Sequence, residues 1–240
     1  MNYNFSYRNY ISLASLCLSI GNIIPLKDFY KKIEKKIIFR HDIDLSIDHA
    51  LEIAKIDKRL GIKSTFMFIP NSKIYCIHDA NVIKKIYKIK QLGHEIALHF
   101  DIEPLNIKEF NKKDINRIYE AIEHDKLIFK KIGIEIKSIS FHRPVNELLY
   151  GKGKIFNLVN AYSKEAMQNY ISDSGGRWAS GSPHISIRKV KNFSSFQVLT
   201  HPIWWCHKNS TPRNTIRKFI LKNKNLSHLI KDTVPKVYES

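Results

Sequence analysis

The chain has 240 residues, 43% of them hydrophobic and 26% charged, which suits a well-buried core and excludes a disordered chain. Lys and Arg number 40 against 22 Asp and Glu, a formal net charge of +18. That excess attracts anions. However, runs such as Lys31-Lys32-Ile33, Lys84-Lys85-Ile86 and Lys130-Lys131-Ile132 fall on the polar sides of helical patterns, and no tract interleaves aromatic with basic residues, so no specific nucleic-acid partner is expected.

Cys17, Cys76 and Cys206 have no paired spacing, which argues for a reducing compartment and against a cysteine-based zinc site. Ile11 to Ile24 is mostly apolar, but only Arg8 precedes it with positive charge, no small-x-small pattern follows, and Gly21 stands where a helix stops. Tyr7 to Ile20 therefore reads as a helix of the fold rather than a signal peptide. No run approaches the roughly 20 apolar residues of a membrane span, so no transmembrane segment and a cytoplasmic location are expected.

Ile24-Pro25-Leu26 reads as a connection into Lys36-Ile37-Ile38-Phe39-Arg40, a β-branched run with the character of a buried strand. Ser46 caps a helix whose stripe of Ile47, Ala50, Leu51, Ala54 and Leu60 ends at Gly61. The unit then repeats. Ser64 to Ile69 is β-rich, Asp79 caps a helix ending at Gly93, and Glu95 to Phe100 is a third strand. A long helix from about Asp114 to Ile132 precedes Ile139-Ser140-Phe141. Beyond that the spacing suggests a helix over Phe156 to Met167, a strand over Asn169 to Ser172 and a turn at Ser174-Gly175-Gly176. A last strand, Phe196 to Thr200, leads to a basic helical tail from Arg213 to Lys231. Alternating strands and helices without a linker predict one α/β domain over residues 1–240 with a parallel sheet, open or closed into a barrel.

Polar residues mark the carboxyl end of nearly every predicted strand: Asp42 and Asp44, His99 and Asp101, His142 and Arg143, Asp173, and His201. In parallel α/β folds that rim is where active sites are built. Strand alternation puts Asp42 and Asp44 on one face and His41 and Ile43 on the other. Two carboxylates side by side are costly unless a cation or hydrogen-bond donors offset them. His94 and His99, an odd number apart, face opposite ways, and His99 is the one at the rim. A zinc-like ion accepts one carboxylate and two imidazoles while leaving a place for water. Asp44 and His99 supply two ligands, and His142 is preferred over Glu103 and Asp101 for the third. Asp42 is placed to take a proton from the water, Arg143 to keep that carboxylate ionised, and His201 to protonate a leaving amine. Trp204-Trp205 suits the face of a sugar.

These residues resemble the polysaccharide deacetylases of the NodB-homology type, carbohydrate esterase family 4, over Ile38 to Trp205. Arg40-His41-Asp42-Ile43-Asp44 looks like the family's first motif, Gly93 to His99 its second, His142-Arg143-Pro144 its third, Asp173 to Trp178 its fourth and Leu199-Thr200-His201 its fifth. The resemblance implies Asp42 as base, Asp44 and His99 as metal ligands, Arg143 orienting the base, Asp173 and Trp178 lining the substrate pocket, and His201 as general acid. It departs from the pattern at Glu103, where the usual second metal histidine is absent; a divergent branch keeps a histidine at the place of His142. The implied fold is a distorted (β/α) barrel of about seven parallel strands. The implied reaction is metal-dependent removal of N-acetyl groups from a sugar, and the expected cytoplasmic location makes a carbohydrate or nucleotide-sugar intermediate of cell-surface polysaccharide assembly the expected substrate. The ion is zinc, or cobalt, nickel or manganese. Alternatives from the residues alone are hydrolysis of another acyl or C–N bond, an iron oxygenase using His99 and Asp101, and an inactive homologue that binds a glycan or an anion.

Overall fold

A computed structural model describes residues 4–107 and 110–237. The strands are β1 (Asn22–Ile24), β2 (Lys36–Ile43), β3 (Thr65–Phe68), β4 (Glu95–Asp101), β5 (Ser138–His142), β6 (Lys154–Ile155), β7 (Leu158–Asn160), β8 (Tyr170–Ser172) and β9 (Ser195–Thr200). They form one sheet in the order β6-β7-β5-β4-β3-β2-β9-β8, with β1 joined to the lower part of β2. Every pairing is parallel except that of β6 with β7. The sheet curls into a half-barrel, the distorted barrel that the sequence predicts.

Helix α1 (Tyr7–Ile20) precedes the sheet, α2 (Ile47–Arg59), α3 (Ala80–Gln91) and α4 (Lys112–Lys131) connect β2 through β5, and α5 (Pro183–Lys189), α6 (Pro212–Lys222) and α7 (Ser227–Thr233) follow later. The predicted caps hold: Ser46 Oγ accepts from His49 N, and Asp79 Oδ1 accepts from Asn81 N and Val82 N. Asn111 caps α4 by accepting from Asp114 N, so the helix starts two residues before the expected Asp114. Gly93 and Gly133 leave their helices at φ +99° and +69°, the left-handed conformation in which a helix ends at little cost to glycine.

Two expectations fail for local reasons. Phe156 to Met167 is not a helix, because Phe156 and Asn157 take φ +48° and +65°. Two consecutive left-handed residues make the tight turn of a hairpin, here with Ile155 opposite Leu158. Ile24, expected to begin a connection, instead ends a strand, Asn22 to Ile24, paired in register with Lys36-Ile37-Ile38. The basic tail is also divided, with α6 ending at Asn223 (φ −130°, ψ 53°) before α7 begins.

The two faces of the sheet carry different chemistry. Toward the helices point Ile37, Phe39, Phe66, Phe68, Ile96, Leu98 and Phe196, which join the large apolar core. Inside the curl a much smaller core of Ile38, Met67, Ala97, Val159 and Ala161 lies near Arg40, Asp42, Glu95 and His99, all buried. Glu95 is satisfied by Ser138 Oγ at 2.5 Å, Thr65 Oγ1 at 2.9 Å and Lys27 N at 3.0 Å. Burial nevertheless pushes its carboxyl upward.

On the helix side one polar network interrupts the apolar layer. His41 meets Thr200 Oγ1 at 2.7 Å and Asp57 Oδ2 at 3.0 Å, and Asp57 also accepts from Tyr10 OH at 2.7 Å and Ser64 Oγ at 2.6 Å. It ties α1, α2, β2 and β9, and the residue just before β3, around one fully buried carboxylate. His94 continues the network through Ser64, and its Nε2 bonds Ala54 O at 2.9 Å. His94 thus lies beneath the sheet, as strand parity requires. Replacing Asp57 with Ala would strand three polar partners in the core. The expected loss is about 3–5 kcal/mol of unfolding free energy, read by denaturant titration; a change below about 1 kcal/mol would show that the network carries no such load.

Candidate metal centre

Asp44 follows the last residue of β2, His99 lies near the end of β4, and His142 is the last residue of β5. The ligand atoms of these three all lie within 4.8 Å of one another, forming the one such histidine, cysteine and carboxylate group among the described residues. Asp44 Oδ1 is 3.3 Å from His99 Nε2 and 3.5 Å from His142 Nδ1. That oxygen is buried, yet makes a well-formed hydrogen bond to neither imidazole. Three ligands about 2.1 Å from one centre in a tetrahedral set stand about 3.4 Å apart. The measured separations match that spacing, and one carboxylate with two imidazoles is a donor set suited to a divalent ion. The residues present therefore fit a metal.

The surroundings hold these ligands in position. Ser140 Oγ, level with His99 on the neighbouring strand, bonds His99 Nδ1 at 2.7 Å and so fixes which nitrogen faces Asp44. Tyr75 OH donates to Ile43 O at 2.7 Å and accepts from Ile69 N at 2.9 Å, bracing the strand end that presents Asp44. Burial alone would favour protonated Asp44, but His142 and His99 outweigh it and keep the carboxyl well below the usual range. Burial likewise opposes a charged His142, and Asp44 raises it in return.

Asp42 is next to this group, its Oδ2 lying 3.4 Å from His99 Nε2. Its partner is Arg40, two residues back on the same strand face. Arg40 Nε donates to Oδ1 at 2.8 Å and Nη2 donates to Oδ2 at 2.6 Å, a bidentate pair shut away from solvent. Arg40 also donates to Tyr162 OH at 3.1 Å and lies over the Tyr162 ring at 4.6 Å. Burial would raise the Asp42 pKa, and the guanidinium together with His99 and His201 more than reverses this, leaving the carboxyl lowered.

The arginine expected in this role, Arg143, is elsewhere. Its Nη1 donates to Glu103 Oε2 at 2.6 Å and its Nη2 to Asp232 O at 2.5 Å. The physical reason lies in the backbone: Arg143 takes φ +51° just after β5, and its side chain leads out toward the α7 side instead of into the curl. Glu103 is thereby engaged with Arg143, and neither it nor Asp101 joins the ligand group. The pairing of His99 with Asp101 needed for the oxygenase alternative is not formed.

His201, just past β9, turns Nε2 to within 3.7 Å of Asp44 Oδ2 and bonds Asp173 Oδ1 through Nδ1 at 2.7 Å. Asp173 further accepts from His201 N at 2.8 Å and Trp205 Nε1 at 2.9 Å. Burial would lower the His201 pKa, but the hydrogen bond and charge of Asp173, with Asp44 and Asp42, push it up to about 9. Asp173 is fully buried, so it supports His201 from behind instead of lining a pocket. Trp178 and Trp204 are corrected in the same way. They are 3% and 2% exposed and packed in the core, where a sugar cannot stack on them.

An open cleft of about 840 Å³ begins at Asp44 and His142 and runs between Ile69 to Ile74, the segment after β4, one side of α4, and α7. Three contributors are not among the predicted site residues: Arg40, which alternation places on the face of Asp42; Ser140, which register places beside His99; and Tyr162, just past the hairpin that replaces the predicted helix.

No protein-family model matches the chain, and no curated protein matches its sequence. Among solved structures, the chain is similar to BA3943, a CE4-family pseudoenzyme from Bacillus anthracis, at 13% identity and a TM-score of 0.47, over 84% of this chain and 64% of that one. A mutant of that pseudoenzyme with restored enzymatic activity matches at 15% identity and a TM-score of 0.43, over 84% and 66%. A family 4 acetyl xylan esterase from Clostridium thermocellum, in complex with a cobalt ion, matches at 14% identity and a TM-score of 0.39, over 79% and 83%. The chain thus spans slightly less than two thirds of the length of BA3943. No helix among the described residues is long and apolar enough to cross a membrane.

The two arginines should separate in a stability measurement. Arg40→Gln leaves Asp42 buried without its partner and should cost about 3–5 kcal/mol, whereas Arg143→Gln, at a partly exposed pair, should cost about 1 kcal/mol or less; equal costs in denaturant melts would contradict this arrangement. In the cleft wall, burial pushes Asp125 from 3.8 to about 6, against its contacts with His124 and Asn71. The folded chain then keeps a proton that the unfolded chain releases, so stability is full below about pH 4 and falls as pH rises to about 6, by about 3 kcal/mol. Asp125→Asn should flatten that slope in melts run across this range.

Proposed function

We propose that this chain is a divalent-metal-dependent hydrolase that removes N-acetyl groups from a sugar, using a single catalytic domain over residues 1–240. The carrying observation is the convergence of Asp44, His99 and His142 at metal-ligand spacing around a buried carboxylate oxygen that lacks a hydrogen-bond donor. Those three residues would hold the ion, zinc in the first place and cobalt, nickel or manganese in others. Bound there, it supplies a Lewis acid for the amide carbonyl and a water of lowered pKa.

The remaining residues have separate tasks. Asp42 accepts the proton of the attacking water, and Arg40 keeps it ionised and fixes both its oxygens. His201, charged through Asp173, donates a proton to the departing nitrogen as the C–N bond breaks, giving acetate and a free amine. Tyr75 and Ser140 act through the ligands they brace. The substrate is a carbohydrate of cell-surface polysaccharide assembly, met in the cytoplasm. The charged His201 supports this division of labour, because an imidazole already carrying a proton beside an ionised Asp42 supplies one acid and one base at neutral pH.

Acetate release should be measured on a panel of N-acetylated sugars with and without chelator. The expected result is release that a chelator abolishes and added metal restores. His142→Ala should lose bound metal in elemental analysis. Asp42→Asn should retain it and lose about 10²–10⁴-fold in rate. Full activity in chelator, or an Asp42→Asn variant as fast as the parent, would overturn the proposal.

A further inference from the structure

The net charge of +18 is gathered at one end of the molecule. Strands β2 to β5 are parallel, so the residues entering them meet at one end of the sheet, and the last turns of α2, α3 and α4, which return between those strands, lie at that same end. Lys35, Lys63 and Lys137 stand just before β2, β3 and β5, Lys58 and Arg59 in the last turn of α2, and Lys130 in the last turn of α4, all exposed. The metal group is at the other end. The eight residues of β2, at about 3.3 Å each, set the two ends roughly 25 Å apart.

The short 3₁₀ turn Leu26–Asp28 closes the amino end of the curl. Leu26 N donates to Thr65 Oγ1 at 2.8 Å and Lys27 N to Glu95 Oε2 at 3.0 Å, which fixes exposed Lys27 there. Beside it a groove of about 840 Å³ runs between the end of α4 and the β6-β7 hairpin, lined by Lys27, Lys126, Lys130, Lys137 and Lys154. Its two carboxylates are already engaged, Glu123 by Lys126 at 2.7 Å and Glu135 by Lys137 at 3.2 Å. Lys27, Lys130 and Lys154 have no ion-pair partner among the described residues, and neither have Lys35, Lys58, Arg59 and Lys63; an unpaired carboxylate at the same end is Glu34. Lysine in the last turn of a helix suits the helix dipole, which accounts for Lys58 and Lys130. It does not account for Lys27, Lys35, Lys63 and Lys154, which belong to no α-helix.

Unpaired cations sharing one face attract a polyanionic surface as a set, over a Debye length of about 10 Å. Two observations select a layer of lipid headgroups over a nucleic acid. Apart from Arg59 the unpaired cations are lysines, point charges on long apolar stems that spread across such a layer and lack the planar fork with which arginine grips a nucleic-acid backbone. Among them Leu127 and Tyr30 are 53% and 49% exposed, an aliphatic and a phenolic side chain of the kind that enters the bilayer interface. Lys154 lies over the Tyr30 ring at 5.8 Å, where a base would have to stack.

We propose that the amino-terminal end of the sheet is a docking surface for the anionic headgroup layer of a lipid bilayer. Docked in this way, the chain holds the metal group and its cleft away from the lipid and open to water. The proposal goes beyond the hydrolase reading and does not depend on it.

Co-sedimentation with vesicles tests it on the full chain. Phosphatidylcholine vesicles carrying about 30% phosphatidylglycerol should bind the chain at about 0.1 M salt, pure phosphatidylcholine vesicles should not, and about 0.5 M salt should release it. The Lys63→Glu, Lys130→Glu, Lys154→Glu variant should lose about 100-fold or more in partitioning, about fivefold for each lysine removed. The Lys112→Glu, Lys113→Glu, Lys208→Glu variant makes the same change of net charge at exposed positions toward the other end and should stay within about fivefold of the parent. No binding to the anionic vesicles, equal binding to both vesicle types, or an equal loss in the two variants would each overturn the proposal. Release of the bound chain by a random-sequence DNA duplex at the same phosphate concentration would also overturn it, by assigning the face to nucleic acid. The vesicle, salt and duplex comparisons use the parent chain and hold whatever the stability of the variants.

Discussion

The carboxyl end of β2 must carry two carboxylates, Asp42 and Asp44, on one face in a place almost closed to water. Left to themselves, neighbouring buried carboxylates would take up a proton. The structure resolves this by giving each its own counter-group. Asp42 has the guanidinium of Arg40 in a bidentate pair. Asp44 has the imidazoles of His99 and His142, with one oxygen unsatisfied by hydrogen bonds. The two solutions differ in kind. A fixed side-chain cation neutralises one acid permanently, and the other is left to a group that can be exchanged. That asymmetry is what separates a structural carboxylate pair from a centre able to hold a metal beside a proton acceptor.

Such a centre needs a rigid support, and the same strand supplies it from its other face. His41, between Arg40 and Asp42, turns toward the helices and enters the network around Asp57. One strand is thus anchored on both faces by buried charge, through Arg40 and Tyr162 inside the curl and through Asp57, Tyr10 and Thr200 outside it. Burying so many polar groups stabilises the fold little compared with apolar packing. Its effect is on geometry, since a shift of one residue in β2 would exchange the two faces and leave every one of these groups without its partner.

This parity is also why much of the site is legible in the sequence. Alternation along a buried strand places Asp42 with Asp44, separates His94 from His99, and needs no knowledge of distant contacts. The parallel sheet then collects strand ends at one rim, which brings His142 to Asp44 and His201 to Asp173. Legibility fails where the chain leaves regular structure. Arg143 lies one residue beyond β5 in a left-handed conformation, so strand parity says nothing about its direction. The hairpin at Phe156-Asn157 depends on two positive φ values that phenylalanine gives no reason to expect. Trp178 and Trp204 show a different failure, because an indole in a sugar enzyme and an indole in an apolar core have the same appearance in a sequence.

The depressed Asp42 pKa bears on its proposed role as base, since a carboxylate held by Arg40 is a weaker proton acceptor than a free one. The arrangement is consistent if the proton to be moved is itself made more acidic, which is the effect of a divalent ion on water. A weak base is then sufficient, and its pairing with Arg40 favours the ionised form that accepts a proton. His201 completes the balance from the other side of Asp44. Its own charge depends on Asp173 beneath it, so the proposed acid and base are each set by a buried partner. Arg40 and Asp173 are therefore the two residues through which the fold, rather than the solvent, fixes the protonation state of the site.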